Sequence, residues 1–249
     1  MTVRKNALVT GANKGIGLET TRRLAAMGYK VWLGARDPQR GQAAAEALRG
    51  EGLDVEWLEL DVTSDESVAT AAKAVAGRAP GLDALVNNAG IAPGYVEGLG
   101  ADGRYERMPS RENVADMKAT YDVNVFGPVR VTQAFLPLIS AASPAARIVM
   151  LSSSLGSIAR AREGVSPNAM GYGSSKTALN AVTVAFAREL APRGIMVNAA
   201  APGYTATDLN AHRGGRTVQQ AAEIIVRLAT LEAGGPTGGY FDENGPLPW

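Results

Sequence analysis

The sequence predicts an α/β fold in which a doubly wound parallel sheet carries helices on both faces. Short apolar runs suited to buried strands alternate with longer segments that have helical periodicity. Apolar residues make up 46% of the 249 residues, which is enough for a substantial core. Alternation of this kind is typical of parallel strands joined by right-handed helical crossovers. We therefore expect residues 1–249 to form a single domain.

The first half of the chain contains four predicted strands and three predicted helices. Gly28 ends the first helix, and Pro38 is suited to the first turn of the second. The predicted order is strand 6–10, helix 15–27, strand 31–33, helix 38–50, strand 55–60, helix 64–76 and strand 82–87.

The second half continues the alternation after a surface loop. Residues 92–110 are rich in glycine, proline and charged residues, which predicts a loop rather than a linker. Residues 155–170 form a second irregular passage. The remaining predicted elements are helix 111–139, strand 147–151, helix 172–190, strand 195–199, helix 218–231 and strand 240–241.

Charge and composition exclude several classes of partner. The net charge of +1 gives no reason to expect nucleic acid or a membrane surface, so we expect a small-molecule ligand. The absence of cysteine excludes disulfides and thiolate catalysis, and lone His212 has no second His or Cys with which to share a metal. The first ten residues lack the apolar segment of a secretion signal, and no apolar run approaches 18 residues. We expect a cytoplasmic protein without a membrane span or a metal site, in which His212 is solvated.

A glycine-rich turn lies between the first predicted strand and the first predicted helix. It contains Gly11, Gly15 and Gly17. Glycines at this position permit a tight turn and let a pyrophosphate approach the amides at the start of the helix. The spacing Gly-x-x-x-Gly-x-Gly differs from the Gly-x-Gly-x-x-Gly fingerprint of dinucleotide-binding folds. The position of the turn favours a dinucleotide, and a glycine-rich turn without a ligand is the alternative.

The residues after the second predicted strand favour NADPH over NADH. Folds that bind NAD usually place an acidic residue there to hold the ribose hydroxyls, but this sequence has Ala35. Arg36 follows directly and Lys14 lies in the glycine turn, so the two cations can converge on a 2′-phosphate. Asp37 is a complication, because it can pair with Arg36 or weaken the phosphate site. The alternative for Arg36 is an exposed charge without a ligand.

Polar residues also follow the third and fourth predicted strands, at the edge where parallel sheets bind ligands. Asp61 and Val62 are placed to cap an adenine with a carboxylate and a backbone amide. The alternative is that Asp61 only enters the next helix, which Thr63 and Ser64 can cap. Residues 87–90, Asn-Asn-Ala-Gly, are either ligand contacts or a plain turn.

Tyr172 and Lys176 form the candidate catalytic pair. They lie at positions i and i+4 of a predicted helix and therefore share one face. A phenol has a pKa near ~10 in water, and a nearby ammonium stabilises the phenolate and lowers that pKa. The pair therefore predicts proton transfer by Tyr172, and a solvated helix face is the alternative.

Several motifs in a fixed order make the chain resemble the short-chain dehydrogenase/reductase family. They are residues 10–17, residues 87–90, Asn124, Ser153, Tyr172, Lys176, Pro202 and Gly203, and they span nearly the whole chain. Within the family the sequence is most similar to the NADPH-dependent carbonyl reductases, on the segments 11–18, 35–44 and 235–238. The resemblance implies a Rossmann-like fold and reversible hydride transfer from NADPH to the carbonyl of a ketone or aldehyde.

The resemblance also implies a catalytic tetrad. Tyr172 would donate a proton to the carbonyl oxygen, and Ser153 would polarise and orient that carbonyl. Lys176 would lower the pKa of Tyr172 and bind the nicotinamide ribose, while Asn124 would interrupt its helix to hold a water in the proton relay. The serines on either side of Ser153 are the alternatives for its role.

The cofactor contacts follow from the same resemblance. Pro202, Gly203, Thr205 and Thr207 would surround the nicotinamide carboxamide. The residues expected to contact NADPH or NADP+ are Gly11, Asn13, Lys14, Gly15, Ile16, Gly17, Arg36, Asp61, Val62, Asn88, Ala89, Gly90, Tyr172, Lys176, Pro202, Gly203, Thr205 and Thr207.

Two segments beside the site, 91–123 and 154–171, are longer than is usual in the family. They leave the tetrad intact but bear on the pocket shape and on assembly, which we expect to be a homodimer or a homotetramer. Two other functions stay open. A non-catalytic dinucleotide-binding sensor with the same fold would be expected to lose part of the tetrad, and an NAD-linked alcohol dehydrogenase is opposed by Ala35 and Arg36.

Overall fold

The structure, a computed structural model, describes residues 4–98, 108–142, 146–164 and 169–249. Among these residues, strands form one open sheet with helices on both faces, which confirms the predicted fold class. The strands are β1 (Asn6–Thr10), β2 (Lys30–Ala35), β3 (Val55–Glu59), β4 (Ala84–Asn87), β5 (Arg147–Leu151), β6 (Met196–Ala200), β7 (Tyr240–Asp242) and β8 (Gly245–Pro246). The helices are α1 (Gly15–Ala26), α2 (Pro38–Gly50), α3 (Asp65–Ala76), α4 (Val114–Tyr121), α5 (Gly127–Ala142), α6 (Ile158–Arg162), α7 (Met170–Leu190) and α8 (Val218–Ala229).

The strand order places a ligand crevice beside β1. The order is β3-β2-β1-β4-β5-β6-β7-β8, and every neighbouring pair is parallel except β7 with β8. From β1 the chain winds outward first to β2 and β3, then returns to the other side of β1 at β4. Parallel sheets bind ligands at such a reversal, outside the carboxyl ends of the strands.

The two faces of the sheet carry separate hydrophobic cores. Successive side chains of a strand point to opposite faces. In β1, Leu8 belongs to the core formed with α3, α5 and α7, whereas Ala7 and Val9 belong to the core formed with α1, α2 and α8. All three residues are fully buried, as expected for a central strand covered on both sides.

The predicted helix 111–139 is wrong in its start and in its continuity. Asn113 caps α4 by accepting a hydrogen bond from the Ala115 amide at 2.9 Å, so the helix begins at Val114. A wider π-helical turn, Asp122–Phe126, then separates α4 from α5. Together they form a helical rod, Val114–Ala142, with Asn124 in its π-helical turn.

The rod Val114–Ala142 is also long and apolar enough to cross a membrane, by length and composition alone. Its α5 part packs on the sheet, where Val131, Phe135 and Ile139 are fully buried in the core. That packing is typical of the core helix of an α/β sheet.

The structure differs from the sequence-based prediction at two further places. The passage 155–170 is more regular than predicted, because a 3₁₀ turn, Ser154–Gly156, leads into α6. The sequence did not predict β8, which is too short to show a period. Residues 99–107 of the predicted loop 92–110, and residues 165–168, lie outside the described residues.

Candidate active site

A cleft of about 1400 Å³ opens at the carboxyl ends of the strands, where the strand order reverses. Of all the catalytic and cofactor-binding residues expected from the sequence, every one except Asn124 lines this cleft. The structure therefore brings together glycine-turn, strand-end and helix residues that lie far apart in the sequence.

The glycine turn fits a pyrophosphate. Gly11 has a φ of +62°, and a Cβ at Gly17 would lie only 2.4 Å from Asn88 Nδ2. Lys14, the residue before α1, provides no side-chain cap, so the first amides of α1 are left for a ligand. The turn thus offers the backbone approach and the amide donors that a dinucleotide phosphate requires.

Asn88 braces this turn from the end of β4. Its Nδ2 donates to the carbonyl of Thr10 at 2.7 Å and to that of Gly11 at 3.1 Å, and its amide donates to Thr10 Oγ1 at 3.0 Å. The residues 87–90 therefore make more than a plain turn. Direct contact of Asn88, Ala89 and Gly90 with the cofactor stays a prediction.

The structure resolves the complication posed by Asp37. Its Oδ1 accepts a hydrogen bond from the Arg40 amide at 2.9 Å, which caps α2, and its Oδ2 pairs with Arg40 Nε at 2.8 Å. These hydrogen bonds lower the pKa of the Asp37 carboxyl. Asp37 is thus engaged by Arg40, and the exposed Arg36 faces the cleft.

Lys14 takes a position that the sequence did not suggest. Its Nζ lies 2.5 Å from Asp208 Oδ2, in the loop after β6, and the other Asp208 oxygen lies 2.8 Å from His212 Nε2. The bond from Lys14 is the main cause of the lowered pKa of Asp208. His212 is exposed, as expected, but it also borders the cleft.

Asp61 lines the cleft and is held in its ionised form. Burial opposes ionisation, but hydrogen bonds from the Thr63 amide at 2.9 Å and hydroxyl at 2.7 Å, together with the positive charges of Arg36 and Arg130, outweigh it, so the pKa of Asp61 is lowered. Ser64, not Asp61, caps α3 by accepting from the Ser67 amide. Asp61 is therefore not the cap of α3, and its predicted contact with a ligand stays a prediction.

The loop after β6 lies against the glycine turn. The Thr205 hydroxyl donates to the carbonyl of Gly203 at 3.2 Å, and Thr207 Cγ2 lies 3.7 Å from the point where a Cβ at Gly15 would be. The Thr207 amide also donates to Asn210 Oδ1 at 3.2 Å. These contacts fix the loop over the cleft, and contact with a nicotinamide carboxamide stays a prediction.

Tyr172 and Ser153 meet at the inner end of the cleft. Ser153 is the second residue after β5, Tyr172 lies in the first turn of α7, and the Ser153 side chain lies close enough to the Tyr172 phenol to lower its pKa. The neighbouring serines are placed differently: the hydroxyl of buried Ser152 donates to Asn180 Oδ1 at 2.6 Å, and Ser154 opens a 3₁₀ turn. The contact with Tyr172 therefore favours Ser153 over its two neighbours.

Lys176 lies beside Tyr172, but burial shifts its amine toward the neutral form. Its side chain is 3% exposed, its Nζ donates to the Leu151 carbonyl at 2.7 Å, and burial lowers its pKa to about 7. The Nζ atom is 5.5 Å from the centroid of the Tyr172 ring.

The expected lowering of the Tyr172 pKa is not found in the free protein. Burial raises the pKa of this phenol above its usual value, and among the described residues only the nearby Ser153 side chain opposes the rise. The physical reason is that desolvation disfavours the charged forms of both Tyr172 and Lys176. Without a ligand, Tyr172 is therefore a protonated phenol at neutral pH.

Asn124 acts from behind the cleft. It sits in the π-helical turn, as the expected helix interruption requires, and it is fully buried. Its Oδ1 accepts from the Ile91 amide at 2.9 Å, and its Nδ2 donates to the Ile91 carbonyl at 2.9 Å and to Ser175 Oγ at 3.1 Å. Ser175 Oγ in turn donates to the Tyr172 carbonyl at 2.7 Å. The Asn124 side chain thus ties α7 to the loop after β4, and a relay water beside it stays a prediction.

Two tyrosines near the catalytic pair were missed by the sequence analysis. Tyr95 is 7% exposed, and its ring centroid lies 6.3 Å from that of Tyr172. The Tyr240 hydroxyl donates to the carbonyl of Ser153. Neither residue belongs to a motif, and no local spacing signals a contact across the sheet.

Comparison with known proteins agrees with this geometry. Residues 5–216 match the family model for short chain dehydrogenases. (−)-Isopiperitenone reductase from Mentha piperita is 33% identical, over 98% of this chain and 98% of the relative. Carbonyl reductase (NADPH) 1 from Mus musculus is 31% identical, over 99% of each chain. The crystal structure of NADPH-bound carbonyl reductase from chicken fatty liver matches with a TM-score of 0.83 at 30% identity, over 99% of this chain and 100% of that chain. The resemblance seen in the motifs is therefore confirmed, and the chain belongs to the short-chain dehydrogenase/reductase family.

Proposed function

We propose that this protein is an NADPH-dependent reductase that converts the carbonyl of a ketone or aldehyde to an alcohol, and that also catalyses the reverse reaction. The observation that carries the proposal is the meeting of Ser153, Tyr172 and Lys176 in one cleft, with Ser153 beside the Tyr172 phenol and Lys176 Nζ 5.5 Å from its ring. The pair lies at the inner end of a cleft whose other end has the features of a dinucleotide site. Relatives named as reductases, one of them a carbonyl reductase using NADPH, support the same reaction.

The side chains divide the work on the substrate. The Ser153 hydroxyl orients the carbonyl oxygen, and the protonated phenol of Tyr172 donates the proton that this oxygen needs to become an alcohol. Because burial raises the pKa of Tyr172, the phenol carries its proton before the reaction. Removal of water from the inner cleft also strengthens both hydrogen bonds to the substrate oxygen.

The cleft holds the cofactor through charge and backbone donors. NADPH supplies the hydride when it is bound. The amides at the start of α1 would bind the pyrophosphate, Arg36 and Lys14 the 2′-phosphate, and Asp61 the adenine. Lys176 would contact the nicotinamide ribose from the floor of the cleft, next to the carbonyl of Leu151.

The two alternative functions have less support. A non-catalytic sensor would not require Ser153, Tyr172 and Lys176 to meet as they do. An NAD-linked alcohol dehydrogenase would be expected to have an acid where this chain has Ala35.

Our proposal also includes one domain over residues 1–249, a cytoplasmic location, and a homodimer or homotetramer. The absence of cysteine supports the location.

A panel of ketones, aldehydes and quinones tests the function. Purified protein and NADPH should show a loss of NADPH absorbance that depends on the carbonyl compound, with an alcohol as product. The matched control is Ser153→Ala, which should slow turnover by at least about tenfold while NADPH still binds. NADPH binding without turnover on any carbonyl would support the sensor, and equal use of NADH would support the NAD-linked enzyme.

A further inference from the structure

A buried polar cluster lies beneath the turn Ser152–Gly156, here called the serine turn. Tyr240 is 2% exposed, and its hydroxyl donates a hydrogen bond to the carbonyl of Ser153. The contact joins β7 to the end of β5 across β6, between residues 87 positions apart in the sequence.

Asn180 completes the cluster from α7. It accepts from the hydroxyl of Ser152 at 2.6 Å and donates to the carbonyl of Gly156 at 3.2 Å. The side chains of Asn180 and Ser152 also lie close enough to the Tyr240 hydroxyl to lower its pKa. The serine turn is therefore held at Ser152, Ser153 and Gly156 by hydrogen bonds to the buried side chains of Asn180 and Tyr240.

The Tyr240 ring is fixed on its other side by Trp249. The two rings stack with centroids 5.3 Å apart and planes 19° apart. The Trp249 backbone oxygen accepts a hydrogen bond from the Ala159 amide at 3.0 Å, just after the serine turn. Trp249 thus packs against the body of the protein, although 42% of the residue stays exposed.

The hydroxyl of Tyr240 has a defined chemical state. Burial raises the pKa of Tyr240 to about 12, so the phenol is protonated at any working pH and remains a donor. A phenylalanine at this position would keep the strand pairing with Ala199 and the stacked ring, but it would leave the Ser153 carbonyl without this donor.

We propose that Tyr240 is a positioning residue, which acts on the reaction through Ser153. The inference rests on the proposed function, in which Ser153 orients the substrate carbonyl. Holding the Ser153 carbonyl fixes the orientation of its peptide plane, and with it the direction of the side chain that meets Tyr172. Ser153 Oγ also accepts from the Leu155 amide at 3.3 Å, so movement of the turn shifts both of its contacts.

A double-mutant cycle tests this inference, with Tyr240→Phe made in the wild type and in Ser153→Ala. In the wild type, Tyr240→Phe should lower kcat by about 3- to 10-fold, as expected for one lost hydrogen bond, with NADPH affinity changed by less than about twofold. In Ser153→Ala, the same change should have no further effect, because Tyr240 acts through the missing side chain. The control Trp249→Leu removes the stacked ring but leaves the hydroxyl, so it should lower kcat less.

Amide hydrogen exchange provides a readout that does not depend on turnover. The Leu155 amide should exchange faster in Tyr240→Phe than in wild type, since the turn loses one of its anchors. An equal loss of kcat in both backgrounds would overturn the inference, and so would unchanged kcat with unchanged exchange. If wild type reduces no carbonyl compound, the proposed function fails, and the exchange result alone decides whether Tyr240 holds the turn.

Discussion

Lys14 and Asp208 face each other across the mouth of the cleft, with Lys14 Nζ 2.5 Å from Asp208 Oδ2. The two residues are 194 positions apart, one in the glycine turn and the other in the loop after β6. The Asp208 carboxylate is therefore paired with the Lys14 ammonium, which the sequence analysis expected to bind a 2′-phosphate. Since both side chains are more than half exposed, the ion pair is weak enough for a phosphate to replace it.

The first prediction is that Asp208→Asn binds NADPH more tightly than wild type does. Removal of the carboxylate frees Lys14 for the phosphate, and an exposed ion pair of this kind contributes up to about 1 kcal/mol, or about fivefold in Kd. Affinity for NADH, which lacks the phosphate, should not change. Fluorescence titration with both cofactors measures the difference. Tighter binding of both cofactors, or weaker binding of NADPH, would contradict competition for Lys14.

The second prediction concerns Arg36 and the choice of cofactor. Arg36→Ala should reduce the preference for NADPH over NADH by about 1.5 to 3 kcal/mol, the value of one hydrogen bond to a charged group. The control is Arg49→Ala, which removes the same charge from the far end of α2, outside the cleft. The ratio of kcat/KM for the two cofactors is the measurement. If both variants changed this ratio equally, net charge rather than a phosphate contact would explain it.

The sequence predicted the architecture well because the elements are local. The apolar run of β1 and the helix around Tyr172 and Lys176 are each contained in one short segment, so periodicity was sufficient to find them. Periodicity predicted the helical rod around Asn124 as one helix, and only the family resemblance implied an interruption there, since a π-helical turn depends on contacts with Ile91 and Ser175 rather than on spacing.

The site was predictable where motifs are contiguous and unpredictable where contacts cross the sheet. Tyr172 and Lys176 could be placed from their spacing, whereas only the family resemblance selected Ser153 from the three serines that follow β5. The contact of Tyr240 with Ser153 depends on where the short β7 pairs with β6, which no sequence pattern specifies. The state of Lys176 was also missed, because burial by the fold lowers its pKa.

The third prediction is that the cofactor-free protein becomes more stable as the pH rises above 7. Burial lowers the pKa of Lys176 to about 7 from an ordinary value of 10.5. Between these values the unfolded chain binds the proton more strongly than the folded one, so the free energy of unfolding rises with pH. Below about pH 7 both states are protonated and the full penalty is present, while above about 10.5 it has disappeared.

Denaturant unfolding at two pH values measures this effect. From pH 7 to pH 9 the contribution of Lys176 should be about 1 to 2.5 kcal/mol. Lys176→Met removes the titrating group and keeps the bulk of the side chain, so the rise in stability should shrink by that amount. Other groups titrate equally in both proteins and cancel in the comparison. The same pH dependence in Lys176→Met and wild type would show that the Lys176 pKa is not lowered.

The last prediction tests Tyr172 as the proton donor. Tyr172→Phe removes one hydroxyl and leaves the ring, α7 and the cofactor cleft in place, so NADPH affinity should change little. General acid catalysis contributes about 10²- to 10⁴-fold, and kcat should therefore fall by at least the lower figure. The control is Tyr29→Phe, which removes a buried hydroxyl just before β2, at the opposite end of the strands from the cleft, and should leave kcat near that of wild type. A Tyr172→Phe enzyme that kept more than about a tenth of wild-type kcat would refute the assignment, because loss of the residue that supplies the proton should lower kcat by more than tenfold.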